Sequence, residues 1–288
     1  MSTFTRKQLP LPVRYGFAAM IYGVVVPVMW VSQKLGRAEK LFKRMRARQL
    51  KDREKQNTFK AYVPGPQDVI VATYAKSGTN WMMQIAHQLI YEGRGEFDHI
   101  HSVVPWPDFM PPFMKHYAIP LDQADDWKTS PGRKRVIKTH HDWDQLPYSD
   151  EARYIMVIRD PKDVFVSTYR FSQEIVFGSA MPPVETMFNV FLGEGFINGS
   201  WAENTAGYWA QRNRPNVLIV SFKNMKRDLR GTVIGVAKFL DLNVTDEVID
   251  RVCERASFEY MKRNDEKFRA WQVGPNEAIL LSAILPPL

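Results

Sequence analysis

From residue 68 onward the chain alternates between short apolar runs and longer stretches in which apolar positions recur three and four apart. Short runs bounded by polar residues read as strands buried on both faces, and the stretches between them as covering helices. The strand candidates are 68–74, 135–139, 153–158 and 217–222. This alternation predicts an α/β fold with a mostly parallel central sheet flanked by helices, a three-layer sandwich. In such sheets ligands gather outside the carboxyl ends of the strands, so the four strand exits are where chemistry is expected. Residues 105–131 are rich in Pro, Met and aromatics without periodicity and read as a long loop forming an apolar wall.

The first 60 residues follow a different pattern and are expected to form an N-terminal helical appendage to a domain over 61–288. Tyr15 to Gln33 holds no charged residue. It is a marginal candidate for a membrane span, because Gly16, Gly23 and Pro27 dilute its apolar character. Leu35, Ala38, Leu41, Phe42 and Met45 then recur at helical spacing among basic residues, predicting a basic amphipathic helix over 34–50 that suits a membrane surface. A solvated helix packed on its own domain is the plainer alternative.

Composition sharpens this reading. The net charge of +8 resembles a nucleic-acid signal, but ten Lys or Arg against three acids lie between Lys34 and Lys55, so one segment holds nearly all the excess. That distribution points to a membrane surface through residues 1–55 rather than to nucleic acid. Basic residues after the apolar run outweigh those before it, which places the domain on the cytosolic side. Cys253 is the single cysteine, in keeping with a reducing compartment.

Three strand exits carry candidate chemistry. Ala75-Lys76-Ser77-Gly78-Thr79-Asn80-Trp81 is a glycine-containing turn feeding a helix, which presents backbone amides and a lysine to an anion. Its lysine precedes the glycine, unlike an ordinary nucleotide-binding loop. The second exit is Lys138-Thr139-His140-His141, pairing a candidate base with a cation. The third runs from Arg159 through Pro161 to Ser167. A guanidinium at a strand end suits a phosphate, and Ser167 joins it only if the helix packs beside the first turn. Taken singly, each also reads as a helix cap or a solvated loop.

Together and in this order, the three elements resemble the cytosolic sulfotransferases, over roughly residues 62–268. The resemblance implies a P-loop-like fold and transfer of a sulfuryl group from 3'-phosphoadenosine 5'-phosphosulfate (PAPS) to a hydroxyl, without a metal. It makes Lys76, Ser77, Gly78, Thr79, Asn80 and Trp81 the 5'-phosphosulfate loop, with Asn80 in place of the family's second threonine. It makes His140 the base, with Lys138 and Lys76 steadying the sulfuryl and leaving oxygens. Arg159 and Ser167 take the 3'-phosphate, and Ser167 restrains Lys76. Phe258, in Ala256-Ser-Phe-Glu-Tyr-Met-Lys262, and Trp81 flank the adenine, with Phe222 where the family has a tyrosine.

The chain also departs from that pattern. Ala256 replaces a threonine, His141 stands where leucine is usual, and the family's dimerisation motif is absent. An Arg-Lys-Gly segment normally closes over the 3'-phosphate, whereas this sequence runs to Ala278-Ile-Leu-Leu-Ser-Ala-Ile-Leu-Pro-Pro-Leu288. Arg263, Lys267 and Arg269 are candidate substitutes. A weakly catalytic nucleotide-binding scaffold and a P-loop kinase are the alternatives. Trp106, Phe109, Met110, Phe113, Met114, Phe171 and Phe177 are candidates for the wall of an apolar small-molecule or lipid acceptor site.

Overall fold

The computed structural model describes residues 11–55, 58–108, 117–178, 181–193 and 199–269. The expected sheet is present, with strands β1 (Asp68–Thr73), β2 (Arg135–Thr139), β3 (Arg153–Ile158) and β4 (Val217–Ser221) in the order β2-β1-β3-β4. All three pairings are parallel, with Ile70 opposite Ile137 on one side and Tyr154 on the other. The chain runs from β1 to β2 on one side and then to β3 on the other. The segment leaving β1 therefore sits where the connections diverge, the place where open sheets hold ligands.

Alternate strand residues serve the two faces of the sheet. Val69, Val71, Ile155 and Val157 pack under α4 (Thr79–Ile90), α9 (Leu229–Phe239) and α10 (Asp246–Arg255). Ile70, Ala72, Tyr154 and Met156 face Phe59 and Tyr208, the latter on α7 (Trp201–Ala210). β1, β2 and the middle of β3 are buried on both sides, which suits apolar runs, while β4 at the sheet edge is only partly buried. Two strands end one residue earlier than expected: Tyr74 turns away to donate to Gly199 O at 2.8 Å, and Phe222 opens α8 (Phe222–Arg227).

The N-terminal helices are packed against the domain. Helix α1 (Leu11–Met20) runs through a wide π turn over Ile21–Val25 into α2 (Val26–Lys34), the wide turn lying next to Pro27, which has no amide hydrogen to donate. Gly36, at φ 64°, turns the chain into α3 (Ala38–Lys55), a few residues later than the sequence pattern places the basic helix. Met29 and Phe42 bury themselves against Phe165, Met187 and Phe191 of α5 (Pro161–Ser172) and α6 (Val184–Leu192). Among the described residues no helix is long and apolar enough to cross a membrane.

At the end of the sheet away from the strand exits, Asp68 and Arg135 form a buried pair. Arg135 Nε donates to Asp68 Oδ1 at 2.8 Å, and its other nitrogens donate to Leu121 O, Ala124 O and the Tyr62 hydroxyl. The Tyr62 hydroxyl in turn donates to Asp68 Oδ2. Removing one member leaves a buried charge without compensation. Arg135→Met is expected to lower unfolding stability by about 3–5 kcal/mol in urea titrations.

Candidate active site

The site is built on Thr73, the last residue of β1. Its carbonyl accepts from His140 Nδ1 at 2.8 Å, and its hydroxyl shares a hydrogen bond with Thr79 Oγ1 at the start of α4. The first contact fixes the proton of the neutral imidazole on Nδ1 and puts the lone pair on Nε2. Asp108 secures the same corner from another segment. Its Oδ2 accepts from His140 N at 2.7 Å and its Oδ1 from Thr139 Oγ1 at 2.6 Å. Burial pushes the Asp108 carboxyl up, but His141, His140 and the Thr139 hydroxyl outweigh it and hold the carboxyl below its ordinary value. His141 is committed elsewhere, with Nε2 3.5 Å from Asp108 Oδ1 and Nδ1 3.1 Å from Gln145 Oε1.

The turn after β1 is bent by Lys76 at φ 66° and Gly78 at φ 105°. A Cβ on Gly78 would come within 2.7 Å of the Phe222 ring, so only glycine fits there. Arg159 NH1 donates to Lys76 O at 2.9 Å, while its guanidinium lies 4.5 Å from the centre of the Phe222 ring. Asp160 caps α5 by accepting from Lys162 N, and Pro161 opens the helix. This helix packs beside the first turn. Lys76, Arg159 and Ser167 consequently line one cavity of about 360 Å³, together with Asp163, Val166, Arg170, Phe171 and Glu174.

Two lysines at this corner are largely removed from water. Burial lowers the Lys76 ammonium, with Glu174 opposing and Arg159 reinforcing the shift, and its Nζ lies over the Phe171 ring at 4.1 Å. Burial, reinforced by Lys76 and opposed by Asp108, brings Lys138 down to about 7. Lys138 Nζ sits 3.5 Å from the centre of the Trp106 ring and 3.4 Å from His101 Nε2. His101 Nδ1 donates to Val104 O at 3.1 Å, so its Nε2 is the acceptor for that lysine.

The remaining sequence candidates are distributed around this centre. Ser77 is buried beneath the turn, and Asn80 donates its amide to Phe268 O at 2.9 Å. Trp81 Nε1 donates to Ala256 O at 2.7 Å, and its ring meets Phe222 edge-on. Phe258 opens α11 (Phe258–Arg263) and is 69% exposed. Phe177 packs edge-on against Phe42 in the apolar cluster under the N-terminal helices. Of the three substitute cations, Lys267 approaches Glu96 at 3.9 Å, Arg269 pairs with Asp265 and Arg263 lies over the Tyr260 ring at 5.8 Å. Phe109, Met110, Phe113, Met114 and the stretch 270–288 lie outside the described residues.

Sequence reasoning missed Asp108, His101 and Arg170. Arg170 had a signal: it lies three residues beyond Ser167, on the same helical face. Asp108 had none, because its partners are 31 and 32 residues away.

An anion bearing an apolar or aromatic body fits these residues. Among the described residues Ser77 Oγ is buried without a hydrogen-bond partner and Arg159 Nε lies 3.8 Å from Asp163 Oδ2, while Lys76 and Arg159 line one cavity and burial depresses both Lys76 and the neighbouring Lys138, which favours a compensating negative charge. No group of three or more His, Cys, Asp or Glu among the described residues is arranged to hold a metal ion.

Comparison with known proteins identifies the family. A model of the sulfotransferase domain matches residues 66–272. The chain belongs to the sulfotransferase family. Rabbit amine sulfotransferase is 30% identical over 199 residues, spanning 68% of this chain and 63% of that enzyme. Dog sulfotransferase 1B1 is 32% identical over 205 residues, 69% and 67% of the two chains. Among solved structures, retinol dehydratase in complex with androsterone and the inactive cofactor PAP superposes with a TM-score of 0.61 at 22% identity, covering 77% of this chain and 72% of that one. A mouse sulfotransferase complexed with PAP gives 0.54 at 19% identity, covering 80% and 89%. The structural likenesses establish the P-loop-like sulfotransferase fold.

The depressed Lys138 makes the site's anion affinity depend on pH. Above the midpoint the amine is neutral and attracts anions less, so binding of inorganic sulfate is expected to weaken as pH rises through about 7. In Lys138→Met this pH dependence disappears; titration calorimetry at fixed ionic strength measures both.

Proposed function

We propose that the chain transfers a sulfuryl group from PAPS to the hydroxyl of an apolar small molecule or lipid, on the cytosolic side and against a membrane surface. The carrying observation is the shared cavity of Lys76, Arg159 and Ser167, with Lys138 and His140 held at the neighbouring strand exit. PAPS supplies the activated sulfuryl group and the phosphate leaving group.

The chain's own residues do the rest. His140 is the base rather than His141: its tautomer, held by the Thr73 carbonyl, allows Nε2 to take the acceptor's hydroxyl proton. Lys138 and Lys76 stabilise charge on oxygens of the group in transfer, and their partial desolvation strengthens that attraction. Lysines suffice because the transferred group is less anionic than a phosphoryl group. Ser77, Gly78, Thr79 and Asn80 contribute the turn and helix start that hold the 5' end, while Trp81, Phe222 and Phe258 provide aromatic surface for the purine. Arg159 and Ser167 hold the 3'-phosphate. Ser167 also restrains Lys76, whose ammonium rests on Phe171. Arg170 adds a second guanidinium to the cavity, where it does the work of the cations that pair elsewhere.

Sulfate transfer from labelled PAPS to a panel of apolar alcohols and phenols, run beside calorimetry with adenosine 3',5'-bisphosphate (PAP), tests this. Wild type is expected to bind and turn over. His140→Ala is expected to lose roughly 10²–10⁴-fold in rate with nucleotide affinity kept, and Arg159→Ala to lose mainly nucleotide affinity. Binding without turnover on any acceptor would favour a scaffold. A requirement for a divalent ion and a γ-phosphate donor would favour a kinase.

Arg170→Ala is expected to weaken PAP binding about tenfold to a hundredfold, the worth of one charge-assisted bond of about 1.5–3 kcal/mol. Adenosine 5'-phosphate, which lacks the 3' group, is expected to bind equally to both proteins.

A further inference from the structure

The outer face of the N-terminal helices is apolar, and no described residue covers it. Met20, Val24, Val28, Val31 and Leu35 are 46%, 57%, 46%, 47% and 62% exposed. At 3.6 residues per turn they fall within about 80° of the helix circumference. Ala18, Ile21 and Met29, on the other side, are buried. Trp30, also exposed, extends the strip at one edge. A continuous apolar surface of this kind marks an interaction site.

Its chemistry is decided by what lies next to it. Lys34, Arg37, Lys40, Lys43, Arg44 and Arg48 are all exposed. Glu39 is paired with Lys43 at 3.3 Å. Exposed Met45 continues the apolar character onto α3. An apolar strip bordered by cations complements the acyl boundary and headgroups of an anionic bilayer. A crossing is disfavoured, since no described helix is long and apolar enough and one side of this one is occupied by the domain.

We infer that α1–α3 form an interfacial docking plate: α2 lies in the plane of an anionic lipid surface with Val24, Val28, Val31 and Leu35 inserted, and α3 reads the headgroups. This deepens the location given in the proposed function and does not depend on the transfer reaction. The plate packs against the elements that frame the site. Phe42 stacks edge-on with Phe177 at 5.9 Å, and Phe177 lies one helical turn past Glu174 of the anion cavity. Docking on lipid therefore fixes the orientation of the cavity's own helix relative to the bilayer.

Vesicle co-sedimentation of the full chain tests the inference, with phosphatidylcholine vesicles containing 30% phosphatidylserine compared with phosphatidylcholine alone. Binding is expected to be at least tenfold stronger to the anionic vesicles and to weaken as salt is raised. The double variant V24E/V28E is expected to reduce it at least tenfold; K40E/R44E is expected to do the same and to flatten the salt dependence. Both pairs are exposed, so PAP affinity serves as the folding control and is expected to stay unchanged. Equal binding to neutral vesicles, no binding, or wild-type binding by the variants would overturn the inference while leaving the transfer reaction standing. A concentration-dependent dimer that V24E/V28E dissolves would assign the strip to a second copy and overturn it as well. Loss of PAP binding by the wild type would refute the transfer reaction alone.

Discussion

The last residue of β1 ties the candidate site together. Thr73 gives its carbonyl to the imidazole of His140 and shares a hydrogen bond between its hydroxyl and Thr79, so the imidazole and the turn at Lys76–Gly78 are registered to one point of the backbone. Parallel pairing holds that point in place, because Thr73 is paired with Val157 of β3 and its neighbour Ala72 with Thr139 of β2. Asp108 then adds a third segment. One carboxylate accepts from a backbone amide and a threonine hydroxyl, so the histidine is held by its main chain as well as by its ring.

Cations crowd this corner at an electrostatic cost. Lys76, Lys138 and Arg159 are partly or fully removed from water, and the acids that line the same region, Asp163 and Glu174, sit at its edge. Aromatic faces soften the conflict. Phe171, Trp106 and Phe222 each lie under one of the three cations. Of the three rings, Phe171 lines the cavity, beside Lys76 and Arg159.

The fold was readable from local pattern alone. Strands buried on both faces declare themselves as apolar runs, and β1 to β4 fall within a residue of where those runs end. The turn at Lys76–Gly78 and the cap at Asp160–Pro161 were equally legible, since each depends on neighbours in sequence. The contacts that complete the site were not. Asp108 reaches residues in the next strand's exit, His101 reaches Lys138 over 37 positions, and the docking of Met29 against α5 and α6 joins the first and middle parts of the chain. None of these leaves a periodic trace. Phe177 shows the converse: an aromatic near the site by sequence packs instead under the N-terminal helices.

The backbone of Lys76 carries a further consequence. At φ 66° it occupies a region that most side chains avoid, yet it also provides the ammonium of the turn. Curvature and charge are vested in a single residue, so replacing it with methionine or alanine perturbs loop shape and electrostatics at once. Asparagine, which tolerates left-handed geometry, is the substitution that keeps the bend and deletes only the charge.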